Sequence, residues 1–228
     1  MDAHLGPGLR RGSVHEVFAV RSVQAQSANG FALGLASRAA EGRALVWVIQ
    51  NRAFPETGAP YGPGLRDWGV NPADLVLIHV RDAAALLAAG EEAMTSGAAR
   101  AVLLSGWGEA PAVTLTASRR LALAAAKGRC AGFFVRAGAD PAPSAAETRW
   151  SVAAAPSEAM EARSPGRPAF CVALQRSRTG TPPHSWIVEW DREARSFVEP
   201  AASRGLVSLP GHRPSVAGRS AERIGRAA

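Results

Sequence analysis

The chain has 228 residues, 47% of them hydrophobic, and a formal net charge of +7. That length and apolar content suit one sizeable core with some residues left over for loose ends. No apolar run reaches the roughly 18 residues of a membrane span, and the first arginines have no apolar stretch behind them, so a cytoplasmic protein without a secretory signal is expected.

Residues 1–13 read as a flexible lead. Residues 14–20 (VHEVFAV) read as a buried strand, residues 21–28 (RSVQAQSA) as a connection, and a helix is expected over 29–40. Gly42 suits the left-handed position after that helix. Residues 43–49 (RALVWVI) form a continuous apolar strand of the kind buried on both faces. A proline-bearing loop follows, then a short helix near 64–68 and a strand over 75–80 (LVLIHV). Asp82 caps a helix over 83–95, ended by Gly97. Residues 100–104 (RAVLL) give another buried strand, Thr114 or Thr116 caps the helix that closes at Gly128, and residues 131–135 (AGFFV) give the next strand.

Strict alternation of apolar strands and helices predicts a parallel sheet covered on both faces, with right-handed crossovers. The pattern then changes. Residues 156–168 read as a mobile polar loop, whereas 169–176 and 185–191 alternate apolar and polar residues about a TGTPP turn. That is an antiparallel hairpin extending the sheet. From residue 200 on, Gly, Pro, Ser and Arg predominate, which predicts a disordered basic tail. It holds Arg204, Arg213, Arg219, Arg223 and Arg226 against Glu222 alone. The core domain is thus expected over 14–199.

Few residues offer chemistry. The histidines are scattered, and His79, in an apolar strand, reads as a core histidine. Ser105 lacks the glycine-flanked elbow of a hydrolase nucleophile. Cys130 and Cys171, the only cysteines, exclude a disulfide framework and read as buried structural thiols. Glu109 and Asp140 read as solvated loop carboxylates. Arg119 and Arg120 fit either an exposed helical face or an ionic contact with an acidic partner.

Several strings together resemble the ImuA family of bacterial accessory proteins in DNA-damage-induced mutagenesis, which are distantly RecA-like and grouped with the division inhibitor SulA. They are VHEVFAV, RALVWVIQ, YGPGL, LTASRRLALAAA, APSAAETRWSVAAAPS, PGRPAF and HSWIVEWD, spanning about residues 14–200. The resemblance implies an α/β fold with a RecA-like, mostly parallel sheet flanked by helices. It also implies a degenerate phosphate loop at Arg21, Ser22, Gln24, Gln26 and Ser27.

A working phosphate loop needs glycines for close backbone approach, a lysine for the phosphates and a Ser/Thr for Mg²⁺. Residues 21–28 contain no glycine and no lysine; Lys127 is the only lysine in the chain. The acid that polarises water after the second strand in RecA is replaced by the run Gln50, Asn51, Arg52. The Mg²⁺-side aspartate is replaced by Ser105. No nucleotide cofactor, no metal and no ATPase activity are therefore expected.

The counterparts of the RecA DNA loops, residues 106–113 and 137–146, are short and lack clustered cations with stacking aromatics. Trp107 could stack on a base or cap the sheet edge. Direct DNA binding is expected to be weak or indirect, with the arginine tail adding a salt-sensitive contact. By resemblance the partners are an inactive Y-family-like polymerase (ImuB), through it an error-prone replicative-type polymerase, and RecA as a further candidate. The alternative is a SulA-like inhibitor that binds FtsZ.

Overall fold

The computed structural model describes residues 1–5, 8–157 and 166–200. The tail arginines and most of the 156–168 loop lie outside the described residues. In chain order the elements are α1 (Asp2–Leu5), β1 (Val14–Ala19), α2 (Ala25–Ala40), β2 (Leu45–Gln50), α3 (Phe54–Thr57), α4 (Gly62–Asp67) and β3 (Leu75–Val80). Then come α5 (Ala83–Thr95), β4 (Ala101–Trp107), α6 (Leu115–Gly128), β5 (Ala131–Ala137), β6 (Thr148–Ala154), β7 (Ala169–Ser177), β8 (His184–Asp191) and β9 (Ser196–Val198).

One nine-stranded sheet runs β3-β2-β4-β5-β1-β6-β7-β8-β9. The first six strands in that order are parallel, and β7, β8 and β9 continue the sheet antiparallel. α2 covers one face. There Phe31, Trp150, Phe170, Trp190 and Phe197 form an aromatic core, with Phe31 fully buried and its ring centroid 5.0 Å from that of Phe197. Burying such a side chain contributes about 2–3 kcal/mol. Close packing here requires Gly34, because a Cβ at that position would lie 2.6 Å from Phe197 Cζ. On the other face, α5 and α6 cover Val48, Val102, Leu104 and Phe134.

The helix caps follow the sequence. Asp82 accepts from the Ala85 N–H at 2.9 Å, and Thr114, rather than Thr116, accepts from Ala117 at 3.2 Å. After α2 both Glu41 (φ 52) and Gly42 (φ 72) are left-handed. At the end of α6 it is Arg129 (φ 51) that turns left-handed. Gly128 serves another purpose: a Cβ there would collide with the Met94 carbonyl of α5.

Three expectations need correction. β3 is not buried on both faces: it is the sheet edge, with Val76 51% and Leu77 37% exposed. His79, placed on that strand, is accordingly exposed and not a core histidine. The histidine that the core does enclose is His15. Cys130 is buried just ahead of β5, but Cys171 is only half-buried, because the face of the antiparallel strands away from α2 alternates with the core face. The N-terminal lead carries α1, whose Leu5 joins the core, and the Gly12 N–H donates to the Cys130 carbonyl at 3.0 Å.

Candidate functional site

The connection between β1 and α2 is short and closed. Ser22–Gln24 form a 3-10 turn, and α2 begins at Ala25, four residues earlier than the expected Asn29. Nothing in QAQSA breaks a helix, so α2 extends back until the chain must turn. The Gln24 N–H donates to the Arg21 carbonyl at 2.9 Å and the Ala25 N–H to the Ser22 carbonyl. Two amides that would have to face an anion are thereby already engaged. Outward, the turn presents Val20 (55% exposed) and Val23 (79%), together with exposed Arg21 and Ser22. Gln24 Oε1 is buried with no hydrogen-bond partner. Gln26 donates through Nε2 to the Thr57 carbonyl, fastening the 51–61 segment to α2, and Ser27 is half-buried.

The ends of β2 and β4 are occupied by structural hydrogen bonds. Gln50, 6% exposed, accepts from the Trp107 N–H at 3.0 Å through Oε1. The half-buried Trp107 packs against the α2-side core, at the sheet's end rather than free in solvent. Ser105, 3% exposed, accepts from the indole N–H of Trp47 at 2.8 Å and donates to Asn29 Oδ1 at 2.7 Å. An indole can only donate, so the serine proton points at Asn29 and fixes that amide with its oxygen toward the sheet. Asn29 also lines a cavity of 280 Å³ walled by Trp47, Tyr61, Leu65 and Trp68.

A second polar cluster lies on the opposite face of the sheet, and sequence reasoning missed it. Glu16 is 2% exposed; its Oε2 accepts from Arg149 Nη2 at 2.9 Å, Arg149 Nε at 3.0 Å and the Ser144 hydroxyl at 2.8 Å. Arg136 and Arg149 both lie over the Phe18 ring, 5.2 and 5.4 Å from its centroid. Burial pulls the Arg136 guanidinium below its usual range, opposed by the charges of Glu16 and Glu109. Glu109, expected as a solvated carboxylate, is 3.7 Å from Arg136 and also accepts from the Asp140 N–H.

Arg176 donates to the Ala146 carbonyl at 3.1 Å, and Arg178 to the Ser144 and Ala146 carbonyls at 3.1 Å each. The loop after β5 is thus strapped to the sheet by arginines. A charge within the apolar run VHEVFAV was the available signal, but spacing alone does not pair Glu16 with Arg149 across more than 130 residues.

The remaining predicted residues do not converge. Arg119 is exposed on α6, and Arg120 pairs with Glu91 of α5 at 2.6 Å. Among the described residues no group of three His, Cys, Asp or Glu could hold a metal ion, and no helix is long and apolar enough to cross a membrane.

No family model matches the chain. Two curated relatives named Protein ImuA, from two strains of Caulobacter vibrioides, are each 34% identical over 202 residues, covering 81% of this chain and 77% of theirs. The chain belongs to the ImuA family. Among solved structures, the RadB recombinase matches 86% of the chain and 94% of its own length, with a TM-score of 0.57 at 13% identity. That likeness establishes a RecA-like fold for this ImuA-family protein and carries nothing about its chemistry.

Proposed function

We propose that this protein is a non-enzymatic accessory subunit of the ImuA/ImuB mutagenesis system. In that role it binds an inactive Y-family-like polymerase and, through it, an error-prone replicative-type polymerase that copies damaged DNA. RecA is the further candidate partner. The observation that carries this reading is the degenerate phosphate-loop position, where the Gln24 and Ala25 amides bond back to the chain and two valines face outward. Positioning and charge stabilisation of the γ-phosphate are nearly the whole of phosphoryl-transfer catalysis, and no residue here supplies them. The work left to such a body is binding, in the cytoplasm and on the nucleoid after damage.

RecA-type protomers associate by docking a strand-and-helix segment of one subunit on the core of the next. The exposed edge strand β3 supports a comparable mode, because it pairs only with β2 among the described residues and bears Val76 and Leu77 outward. A polymerase segment would add there as a strand, with main-chain bonds giving affinity and apolar side chains specificity. Co-purification with the ImuB-like polymerase tests this. The variant Val76→Glu/Leu77→Lys changes exposed side chains only and should lose capture. Undiminished capture by that variant, or by residues 200–228 alone, would contradict the docking mode.

A further inference from the structure

We infer that the N-terminal edge of the parallel strands is a nucleic-acid-backbone site, centred on a pocket where three unpaired arginines from separate elements converge. The pocket has a volume of 450 Å³ and is lined by Arg43, Arg66 and Arg195 together with Ser37, Asn71 and Asp74. Arg43 comes from the α2–β2 turn, Arg66 from α4 and Arg195 from the β8–β9 turn. Among the described residues none of the three guanidinium groups has a hydrogen-bonding or ionic partner.

Arg195 is held in place. It adopts a left-handed φ of 48°, and its aliphatic stem lies where a Cβ on Gly69 would be, 2.9 Å from Arg195 Cδ. An arginine laid over a glycine in this way keeps its stem packed and its charged head toward the pocket.

The same edge continues the positive charge. The Arg100 N–H donates to the Ala44 carbonyl and the Ala131 N–H to the Arg100 carbonyl, so Arg43, Arg100 and Arg129 stand at the starts of adjacent strands. Arg10 follows two residues before Gly12, which bonds to Cys130. Adjacent strands are about 4.8 Å apart, so these cations form a continuous track and not isolated charges.

Acids beside these arginines have partners of their own: Glu41 pairs with Arg11, Asp74 accepts from Asn71 Nδ2 at 2.9 Å, and Asp67, next to Arg66, pairs with Arg192 at 3.5 Å. The carbonyl ends of α2 and α6 favour cations nearby, which accounts for Arg43 and Arg129 but not for Arg66 and Arg195. Unpaired arginines along a rim match the repeating anions of a phosphodiester chain, each guanidinium able to take one phosphate by two bonds. This track lies on the edge opposite the 106–113 and 137–146 loops.

The test is the full-length chain against a dye-labelled single-stranded thymidine homopolymer, read by fluorescence anisotropy over a salt titration. The triple variant Arg43→Ala/Arg66→Ala/Arg195→Ala should lose at least about tenfold in affinity at low salt. Its log–log salt slope should fall by about 2, since each single-strand phosphate contact contributes about 0.7. The double variant Arg43→Ala/Arg66→Ala leaves the Arg195 packing intact and should show the smaller loss of the same kind. Equal binding by parent and both variants overturns the inference, as does binding lost only when the five tail arginines are replaced. Competition by inorganic phosphate as effective as that of the polymer, at equal phosphate concentration, also overturns it in favour of a simple anion pocket. No polymerase partner enters this measurement, so its outcome is independent of the adaptor reading.

Discussion

The Ser105 hydroxyl donates to Asn29 Oδ1 at 2.7 Å while accepting the Trp47 indole proton at 2.8 Å, tying α2 to β2 and β4 through one oxygen. The serine is a brace between three elements. Ser105→Ala leaves two buried polar groups unpaired and should cost about 2–6 kcal/mol, at about 1–3 kcal/mol per orphaned group. Urea unfolding checks it, and a loss below about 0.5 kcal/mol, the usual range for a surface change, would show that the relay is not structural.

Glu16 and Arg149 form the buried ion pair of the opposite face, with side chains 3% and 12% exposed. Removing one partner strands the other's charge, so Arg149→Met should destabilise by about 3–5 kcal/mol. Adding Glu16→Gln to it should recover part of that loss. Additive penalties in the double variant would contradict direct pairing.

His15 makes stability depend on pH. It is fully buried, and desolvation lowers its pKa to about 4, with the Arg10 carbonyl bond opposing. The Arg10 carbonyl can only accept, so Nε2 of the neutral ring carries the proton, and the Thr148 hydroxyl, which accepts from the Trp150 indole, donates to His15 Nδ1 at 2.8 Å. The unfolded chain binds a proton below its ordinary value of about 6.5, which the folded chain takes up only near 4. Stability is therefore full above pH 6.5 and declines as pH falls toward 4, by up to about 3 kcal/mol. Denaturant midpoints measured across that window should fall for the parent and flatten in His15→Gln; parallel curves would assign the slope to other groups.

Gly128 should not tolerate a side chain. Its Cβ would meet the Met94 backbone carbonyl, which cannot swing aside as a side chain can. Gly128→Ala should force α5 and α6 apart and cost about 1–3 kcal/mol, despite alanine's better helix propensity. A raised melting temperature for this variant would contradict the close approach.

The repeating apolar strands and the capping residues Asp82 and Thr114 made the parallel layout legible, because those signals are local. The alternation at 169–176 and 185–191 likewise marked the antiparallel extension. β3 misled because LVLIHV is as apolar as an interior strand, and only sheet order puts it at the edge. His79 was misread for the same reason. The Glu16–Arg149 pair and the arginines around Gly69 were invisible, since their partners are joined by topology rather than by spacing. Between β1 and α2, missing glycines and lysine could be read directly, but the engaged Gln24 and Ala25 amides could not.

The most direct measurement is calorimetric titration of the purified chain with ATP in the presence of Mg²⁺. The account predicts no binding heat above dilution, because the β1–α2 turn has no glycine and no lysine and its Gln24 and Ala25 amides bond back to the chain. Tight, magnesium-dependent binding of the triphosphate would contradict it.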